Sequence, residues 1–140
     1  MIYCIREIGR VRLRIFKNAW FRRFARRENI NDTALRDVIV RAQKGLVDAE
    51  LGGGVIKQRI ARLGQGKSGG YRSIILYQNG ELAFFVYGFA KSDRENIEPN
   101  ETEGFKKLAK EYFALSEKRI AAMLKNEELM EILYENESKK

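Results

Sequence analysis

The stretch YRSIILYQNGELAFFVYGFA, residues 71–90, decides the fold. Two runs rich in aromatic and β-branched residues flank the dipeptide Asn79-Gly80. Asn-Gly between two such runs is a strong signal for a tight hairpin, because both residues tolerate a positive φ. We therefore predict two antiparallel strands joined by a two-residue turn.

The stretch LGGGVIKQRIAR, residues 51–62, predicts a further strand before this hairpin. A flexible triple glycine precedes it. Alternate residues of a strand face opposite sides, so Ile56 and Ile60 share one face while Lys57 and Arg59 share the other. The strand and the hairpin together predict a three-strand meander.

The segment RLGQGKSGG, residues 62–70, joins these strands and matches two nucleotide-binding patterns in part. It fits G-x-G-x-x-G, and it contains the G-K-S that ends a P-loop. Both motifs hold phosphate where a strand leads into a helix, whereas this segment leads into a strand. The first glycine that a P-loop requires is replaced by Ala61. We conclude that the segment is a loop between strands.

The N-terminal third predicts a strand and then a helix. Residues 11–16, VRLRIF, alternate apolar and basic side chains, as a half-buried strand does. Residues 18–29, NAWFRRFARREN, place Phe21, Phe24 and Ala25 at helical spacing, with arginines elsewhere on the surface.

A second helix follows, capped by Asn31 or Asp32. Its apolar side chains recur at the i, i+3, i+4, i+7 spacing of a half-buried helix. They are Leu35, Val38, Ile39 and Ala42. Gly45 is predicted to end this helix.

From Pro99 onward the pattern is helical, and a hinge near Ser116 splits it into two helices. We divide the chain into a core, residues 1–98, and a C-terminal helical extension, residues 99–140, that packs on or near the core.

Composition limits the classes of function. The net charge is +8, and it is uneven: residues 1–94 hold 19 lysines and arginines against 8 acids, whereas residues 95–140 hold 8 against 11. A basic body predicts a polyanionic partner, the alternative being that the arginines only keep the protein in solution. The single cysteine fits a reducing cytoplasm, and no apolar run is long enough for a membrane span. The chain has no histidine, the usual transition-metal ligand, so we expect no zinc site. We expect no other cofactor either.

Two segments carry a family resemblance. KQRIARLGQGKSGGYRSI, residues 57–74, and FFVYGFAKSDRENI, residues 84–97, resemble the RelE-type toxins of bacterial toxin–antitoxin modules, particularly their HigB-like branch. The resemblance covers residues 11–98. It implies an α+β fold in which two N-terminal helices pack on a small, mainly antiparallel sheet. The C-terminal helical extension lies outside this shared core.

The resemblance also implies a function. Many members of this superfamily are ribosome-dependent mRNA endonucleases, which cut in the decoding site. The implied partners are a cognate antitoxin, expected to be a HigA-like helix-turn-helix protein, together with the ribosome, its rRNA and mRNA. Two alternatives remain: a ParE-like toxin that binds DNA gyrase without catalysis, and a ribosome- or RNA-binding protein whose catalysis has lapsed.

The family motifs assign roles to the basic side chains. Archetypal members carry Lys-x-Lys where this chain has Lys57-x-Arg59; we expect Lys57 to be the general base and Arg59 to stabilise charge, because an arginine stays protonated. Arg72 matches the arginine that grips the scissile phosphate. The alternatives are that Lys57 and Arg59 are solvated strand residues, and that Arg72 forms an ion pair with Glu81 or Asp93.

Further residues are predicted to complete the site. Ser92 stands where the family has an arginine, and Ile97 and Glu98 lie where it has an aromatic residue that stacks or acts as an acid. Lys91 is therefore our candidate for the acid that protonates the leaving oxygen. Arg94 is predicted to contact phosphate, and Phe89 or Tyr87 to stack on a base, although this aromatic stripe also suits a core. RNA backbone contacts are expected from the loop residues Arg62 and Lys67.

Overall fold

A computed structural model describes residues 13–62, 66–78 and 80–133 of the protein, without the side chains of residues 62–69. This part of the chain folds into six strands and four helices. In order they are β1 Arg14–Asn18, α1 Ala19–Arg27, α2 Asp32–Gln43, β2 Ala49–Gly52, β3 Val55–Arg62, β4 Gly66–Gln78, β5 Leu82–Ala90, α3 Pro99–Phe113, α4 Glu117–Lys125 and β6 Leu129–Ile132. The predicted mixture of helices and strands is confirmed.

The six strands form one sheet in the order β2-β3-β4-β5-β1-β6. All neighbouring strands are antiparallel except β1 and β5, which run parallel. The predicted meander is present. Its hairpin differs from the prediction in length, because Gln78 lies opposite Leu82 and three residues, not two, separate them. Gly80 in that turn has φ +81°, whereas Asn79 lies outside the described residues.

Two strands were not predicted. β2 is only four residues long and ends in the triple glycine, whose residues all have positive φ and turn the chain back into β3. β6 follows α4 after Glu127, a residue with φ +63° that ends helical geometry. Leu129 and Ile132 are three apart, a spacing that also suits a helix, so the sequence pattern did not reveal this strand.

One face of the sheet, here called the first face, is covered by α1 and α2. The apolar stripes predicted for both helices are buried against it. The side chain of Asn31 caps α2 by accepting a hydrogen bond from the Ala34 amide at 2.9 Å. Gly45 follows the C-cap residue Lys44 with φ +85°, as expected for a glycine that ends a helix.

The opposite or second face is covered over part of its area by α3 and α4. Ala109, Ile120 and Met123 of these helices pack on sheet residues such as Ile74 and Phe84. The predicted hinge is confirmed, because the Ser116 hydroxyl caps α4 by accepting from the Arg119 amide. Among the described helices, none is long and apolar enough to cross a membrane.

Candidate functional site

The second face carries a group of cations beyond the area that α3 and α4 cover. Arg59 of β3 lies directly opposite Arg72 of β4, and Lys57 lies two residues from Arg59 on the same face. Lys57 and Arg72 are therefore diagonal neighbours, a relation that puts Cα atoms roughly 7–8 Å apart. We call Lys57, Arg59 and Arg72 the cationic patch.

Gln58 fixes the orientation of this patch. Its side chain is fully buried on the first face, where its amide donates to the carbonyls of Val38 and Leu46, both at 3.2 Å. Its carbonyl oxygen accepts from the Asp48 amide at 2.6 Å. Because Gln58 is held on one face, its neighbours in β3 must point to the other.

Arg72 is half-buried, and its Nη1 atom is fully buried. This nitrogen has no hydrogen-bond partner within the described chain. The alternative ion pair with Glu81 or Asp93 does not form. An unpaired guanidinium nitrogen out of contact with water is unfavourable, and buried charged groups are normally paired. This nitrogen of Arg72 therefore lacks the anionic partner that a buried guanidinium normally has.

Lys57 is half-buried, and its Nζ donates to Oδ1 of Asn96 at 3.0 Å. Asn96 lies in the segment between β5 and α3, residues 91–98, which reaches across the second face. The same Oδ1 accepts from the Ile97 amide at 2.9 Å, so the asparagine side chain is itself fixed in place. The amine of Lys57 is thus held at a defined position by Asn96, a residue to which no sequence pattern gave a role.

Arg94 is engaged by protein groups rather than free for phosphate. Its Nη1 donates to the Tyr87 hydroxyl at 3.0 Å, both terminal nitrogens donate to the Glu101 carboxylate, and Nε donates to the Asn96 carbonyl. The bonds to Glu101 raise the pKa of Arg94, and the guanidinium in turn lowers the pKa of Glu101. This arrangement, here called the Arg94 clamp, assigns the arginine to holding segment 91–98 on the sheet.

Phe89, predicted to stack on a base, is only 4% exposed. It lies opposite Arg72, and the Arg94 guanidinium carbon is 5.7 Å from its ring centroid. Burial leaves little of the ring exposed, and Phe89 lies beside Arg72 on the second face. Its predicted stacking on a base stays a prediction. Tyr87 is half-buried and bonded to the clamp, whereas Phe85 belongs to the first-face core.

Lys91 follows Ala90, the partner of Tyr71, and so lies at the same end of the sheet as Arg72. It is exposed in a turn closed by a bond from the Asp93 amide to the Ala90 carbonyl. The side chains of Arg62 and Lys67 lie outside the described part of the structure, so their predicted RNA contacts stay predictions.

A cavity of about 580 Å³ lies away from the cationic patch, between α2 and the outer edge of β3. Its walls are largely apolar and come from the first face, for example Ile30, Val38 and Ile60. Of the patch it touches only Arg59. The patch itself is therefore better described as a cationic surface than as an enclosed pocket.

Three residues of this region carried no sequence prediction: Asn96, Glu101 and Trp20. Glu101 lies three residues after the helix N-cap Glu98 and accepts a hydrogen bond from its amide at 2.7 Å, as in a capping box. A glutamate at the N-cap is not part of the usual sequence signature of that box. Trp20 is 36% exposed, and its ring centroid lies 4.6 Å from that of Tyr87. No sequence pattern indicated that contact.

Comparison with curated proteins gives no match. The sequence profile of the family described as "RelE toxin of RelE / RelB toxin-antitoxin system" matches residues 13–132. The match extends past residue 98 and includes α3, α4 and β6. Membership of this family implies an antitoxin partner. The chain belongs to the RelE toxin family.

Proposed function

We propose that this toxin is a ribosome-dependent mRNA endonuclease acting in the cytoplasm, with the cationic patch as its catalytic surface. The observation that carries the proposal is the buried, unpartnered Nη1 of Arg72. Arg72 is the cross-strand partner of Arg59 and a diagonal neighbour of Lys57. Three cations on one strand pair repel one another, so an anion bound among them relieves an electrostatic cost. A phosphodiester supplies that anion.

The cleavage step needs a base, a cationic cradle and an acid. The ribose 2′-oxygen attacks the adjacent phosphorus, and its proton passes to the amine of Lys57. Arg72 and Arg59 hold the non-bridging oxygens, whose negative charge grows in the transition state. The bond from phosphorus to the 5′-oxygen then breaks, and that oxygen takes a proton, for which Lys91 is our candidate donor. The products are a 2′,3′-cyclic phosphate and a 5′-hydroxyl.

Asn96 and the Arg94 clamp have positioning roles in this proposal. The Asn96 oxygen accepts from the Lys57 amine and so limits where that amine can sit. The clamp bonds Arg94 to Tyr87 of the sheet and to Glu101 of α3, which fixes the segment carrying Asn96. A fixed base lowers the entropic cost of reaching the reactive geometry.

The experiment expresses the wild type and variants from an inducible promoter and maps mRNA ends by primer extension. Lys57→Ala is expected to slow cleavage by about 10²–10⁴-fold and Arg72→Ala by about 10²–10³-fold, abolishing growth arrest. Lys110→Ala removes a matched exposed cation from α3 and is expected to remain toxic. Full toxicity of both patch variants would rule out the proposed site.

Two further assays on the same strains distinguish the other proposed functions. DNA breaks that depend on gyrase, without mRNA cleavage, would indicate a gyrase-binding toxin. Co-sedimentation with ribosomes without cleavage would indicate a lapsed enzyme. We further propose that the antitoxin is a HigA-like helix-turn-helix protein, and its co-expression is expected to restore growth.

A further inference from the structure

Helix α1 carries a surface that the catalytic proposal does not use. It contains four arginines, and its first turn has no acidic residue. Arg23, Arg26 and Arg27 are all exposed. Trp20, Arg23 and Arg27 follow the i, i+3, i+7 spacing that places side chains along one side of a helix. We call these three residues the α1 ridge.

The α1 ridge lies beside the end of β5. Strand β1 pairs with β5 only from Leu82 to Phe85, so within the described part of the chain the last residues of β5 have no strand neighbour on that side. Helix α1 packs against this end of β5. The Trp20 ring contacts Tyr87, with an interplanar angle of 32°, and also stacks on Phe24 at 5.5 Å.

Tyr87 connects the ridge to the cationic patch. It occupies the same cross-strand row as Ile74 and Lys57 on the second face. Its ring also lies 6.0 Å from that of Phe89, the residue opposite Arg72. The exposed indole of Trp20 is therefore one ring contact away from the row that carries the proposed base.

The position of the ridge is rigid. A Cβ atom placed on Gly88 would lie 2.5 Å from Cε2 of Phe24, which shows how closely α1 approaches the strand. Arg27 stacks over the Phe24 ring, with its guanidinium carbon 5.7 Å from the ring centroid. Glu28 pairs with Arg27, yet 64% of the Arg27 side chain remains exposed. A fixed aromatic ring flanked by exposed guanidinium groups needs little ordering on binding.

We propose that the α1 ridge binds the single-stranded RNA that leaves the cationic patch, with one base stacking on the exposed part of the Trp20 indole. This inference rests on the proposed function. Arg23 and Arg27 then contact the phosphates on either side of the stacked base. Stacking platforms with adjacent cations are the usual way in which proteins hold single strands without reading their sequence.

RNA suits this surface better than an acidic protein does. Protein interfaces have an apolar core of several side chains, whereas Trp20 is the only large apolar side chain exposed on α1. The other exposed apolar residues of the described chain lie elsewhere: Val40, Leu46, Met130 and Leu133. The α1 ridge presents positive charge and one aromatic ring, and these complement the phosphates and bases of a single-stranded RNA.

The test uses the fact that Trp20 is the only tryptophan in the chain. Its fluorescence is measured while a 12-nucleotide single-stranded RNA is added to full-length Lys57→Ala protein, which leaves the RNA uncut. We expect quenching that saturates with binding. Trp20→Phe, in the same background, is expected to weaken binding measured by fluorescence anisotropy of labelled RNA by about 10-fold. Its circular dichroism spectrum checks that it folds.

Arginine variants provide the electrostatic readout. Arg23→Ala and Arg27→Ala are each expected to reduce the salt dependence of binding by about one unit of slope. Lys110→Ala is the control, because Lys110 is an exposed cation of α3 and not of α1. It is expected to leave the slope unchanged.

Other outcomes would overturn the inference. RNA binding without quenching of Trp20 would exclude the ridge, and so would quenching by poly-glutamate but not by RNA. Failure of the ridge and failure of the proposed function give different results. If the wild type cleaves mRNA on ribosomes but RNA does not quench Trp20 fluorescence, only the proposed role of the α1 ridge is wrong. If RNA quenches Trp20 fluorescence but no mRNA is cleaved, only the proposed endonuclease activity is wrong.

Discussion

At the scale of single residues, the alternation of side chains along a strand predicted part of the cationic patch but not the residues that contact it. The alternation in β3 predicted that Lys57 and Arg59 share a face, and the structure confirms it. The contact between Lys57 and Asn96 spans 39 residues, and no local pattern encodes such a distance. The burial of Phe89 could not be predicted from the sequence either, because an aromatic residue of a strand can face either a core or solvent.

Arg72→Met tests whether the arginine is kept for function at the expense of stability. Methionine fills similar space without a buried, unpaired charge, so we expect the melting temperature to stay constant or rise. Cleavage is expected to fall by about 10²-fold or more. The measurements are thermal unfolding followed by circular dichroism, and primer extension.

Arg41→Met is the control for this prediction. The Arg41 guanidinium donates to the Arg59 carbonyl at 2.6 Å, so its loss is expected to lower the melting temperature. If Arg72→Met destabilises the protein as much as Arg41→Met does, Arg72 has a structural role that its contacts do not reveal.

At the scale of elements, caps and turns were the most predictable features. The Asn31 cap, the Gly45 stop and the Ser116 hinge all follow from local chemistry that acts within one helical turn. Pairing partners were less predictable, since the parallel contact of β1 with β5 joins segments far apart in the chain. The close approach of α1 to Gly88 was equally unpredictable, because it also joins segments far apart in the chain.

Gly88→Ala is expected to destabilise the protein by about 1–3 kcal/mol. The added methyl group meets the Phe24 ring at 2.5 Å and the Phe21 ring at 3.1 Å, and both rings are fixed in the core. Urea unfolding measures the change in free energy. Gly104→Ala is the matched substitution: nothing lies within 4 Å of its new Cβ, and it sits inside α3.

In contrast, Gly104→Ala is expected to stabilise by about 0.5–1 kcal/mol, because alanine has the higher helix propensity. Equal effects of the two substitutions would mean that α1 does not pack on Gly88 as described.

The Arg94 clamp makes one contribution to stability depend on pH. The pKa of Glu101 is lower in the folded protein than its ordinary value, because its carboxylate accepts from Arg94 and from the Glu98 amide. The clamp therefore stabilises the fold above the ordinary glutamate pKa of about 4.3, and this contribution is lost as the pH falls through the folded-state value.

We expect Glu101→Gln to lower the melting temperature at pH 7 and to have a much smaller effect at pH 3. Differential scanning calorimetry at both values measures this. Glu103→Gln, a neighbouring exposed glutamate on α3, controls for the loss of a charge. A Glu101→Gln effect of the same size at both pH values would contradict the role of the clamp.

At the scale of the whole molecule, the sheet has a core on each face. The apolar patterns of the sequence indicated the core on the first face, which α1 and α2 form with the sheet. The second was less visible, because α3 and α4 were expected only to pack on or near the core, and β6 was read as helix. Its residues Ile120, Met123 and Leu129 complete the layer that borders the cationic patch.

Leu129→Ala tests this layer. The side chain is 2% exposed, so its truncation is expected to cost about 2–5 kcal/mol and to lower toxicity through loss of folded protein. Urea unfolding and soluble yield measure the effect. Met130→Ala, at the adjacent and 37% exposed position of the same strand, is expected to be nearly neutral. Similar losses at both positions would contradict the inward orientation of Leu129.

The pairing of β1 with β6 has a consequence for biosynthesis. Ile15 pairs with Ile132, so during synthesis β1 cannot pair on this side until β6, more than a hundred residues later, has left the exit tunnel. A nascent chain from which β6 has not yet emerged thus lacks an edge strand and part of one hydrophobic layer. The sheet is completed only after β6 emerges, which gives a pre-existing antitoxin time to meet each newly made chain.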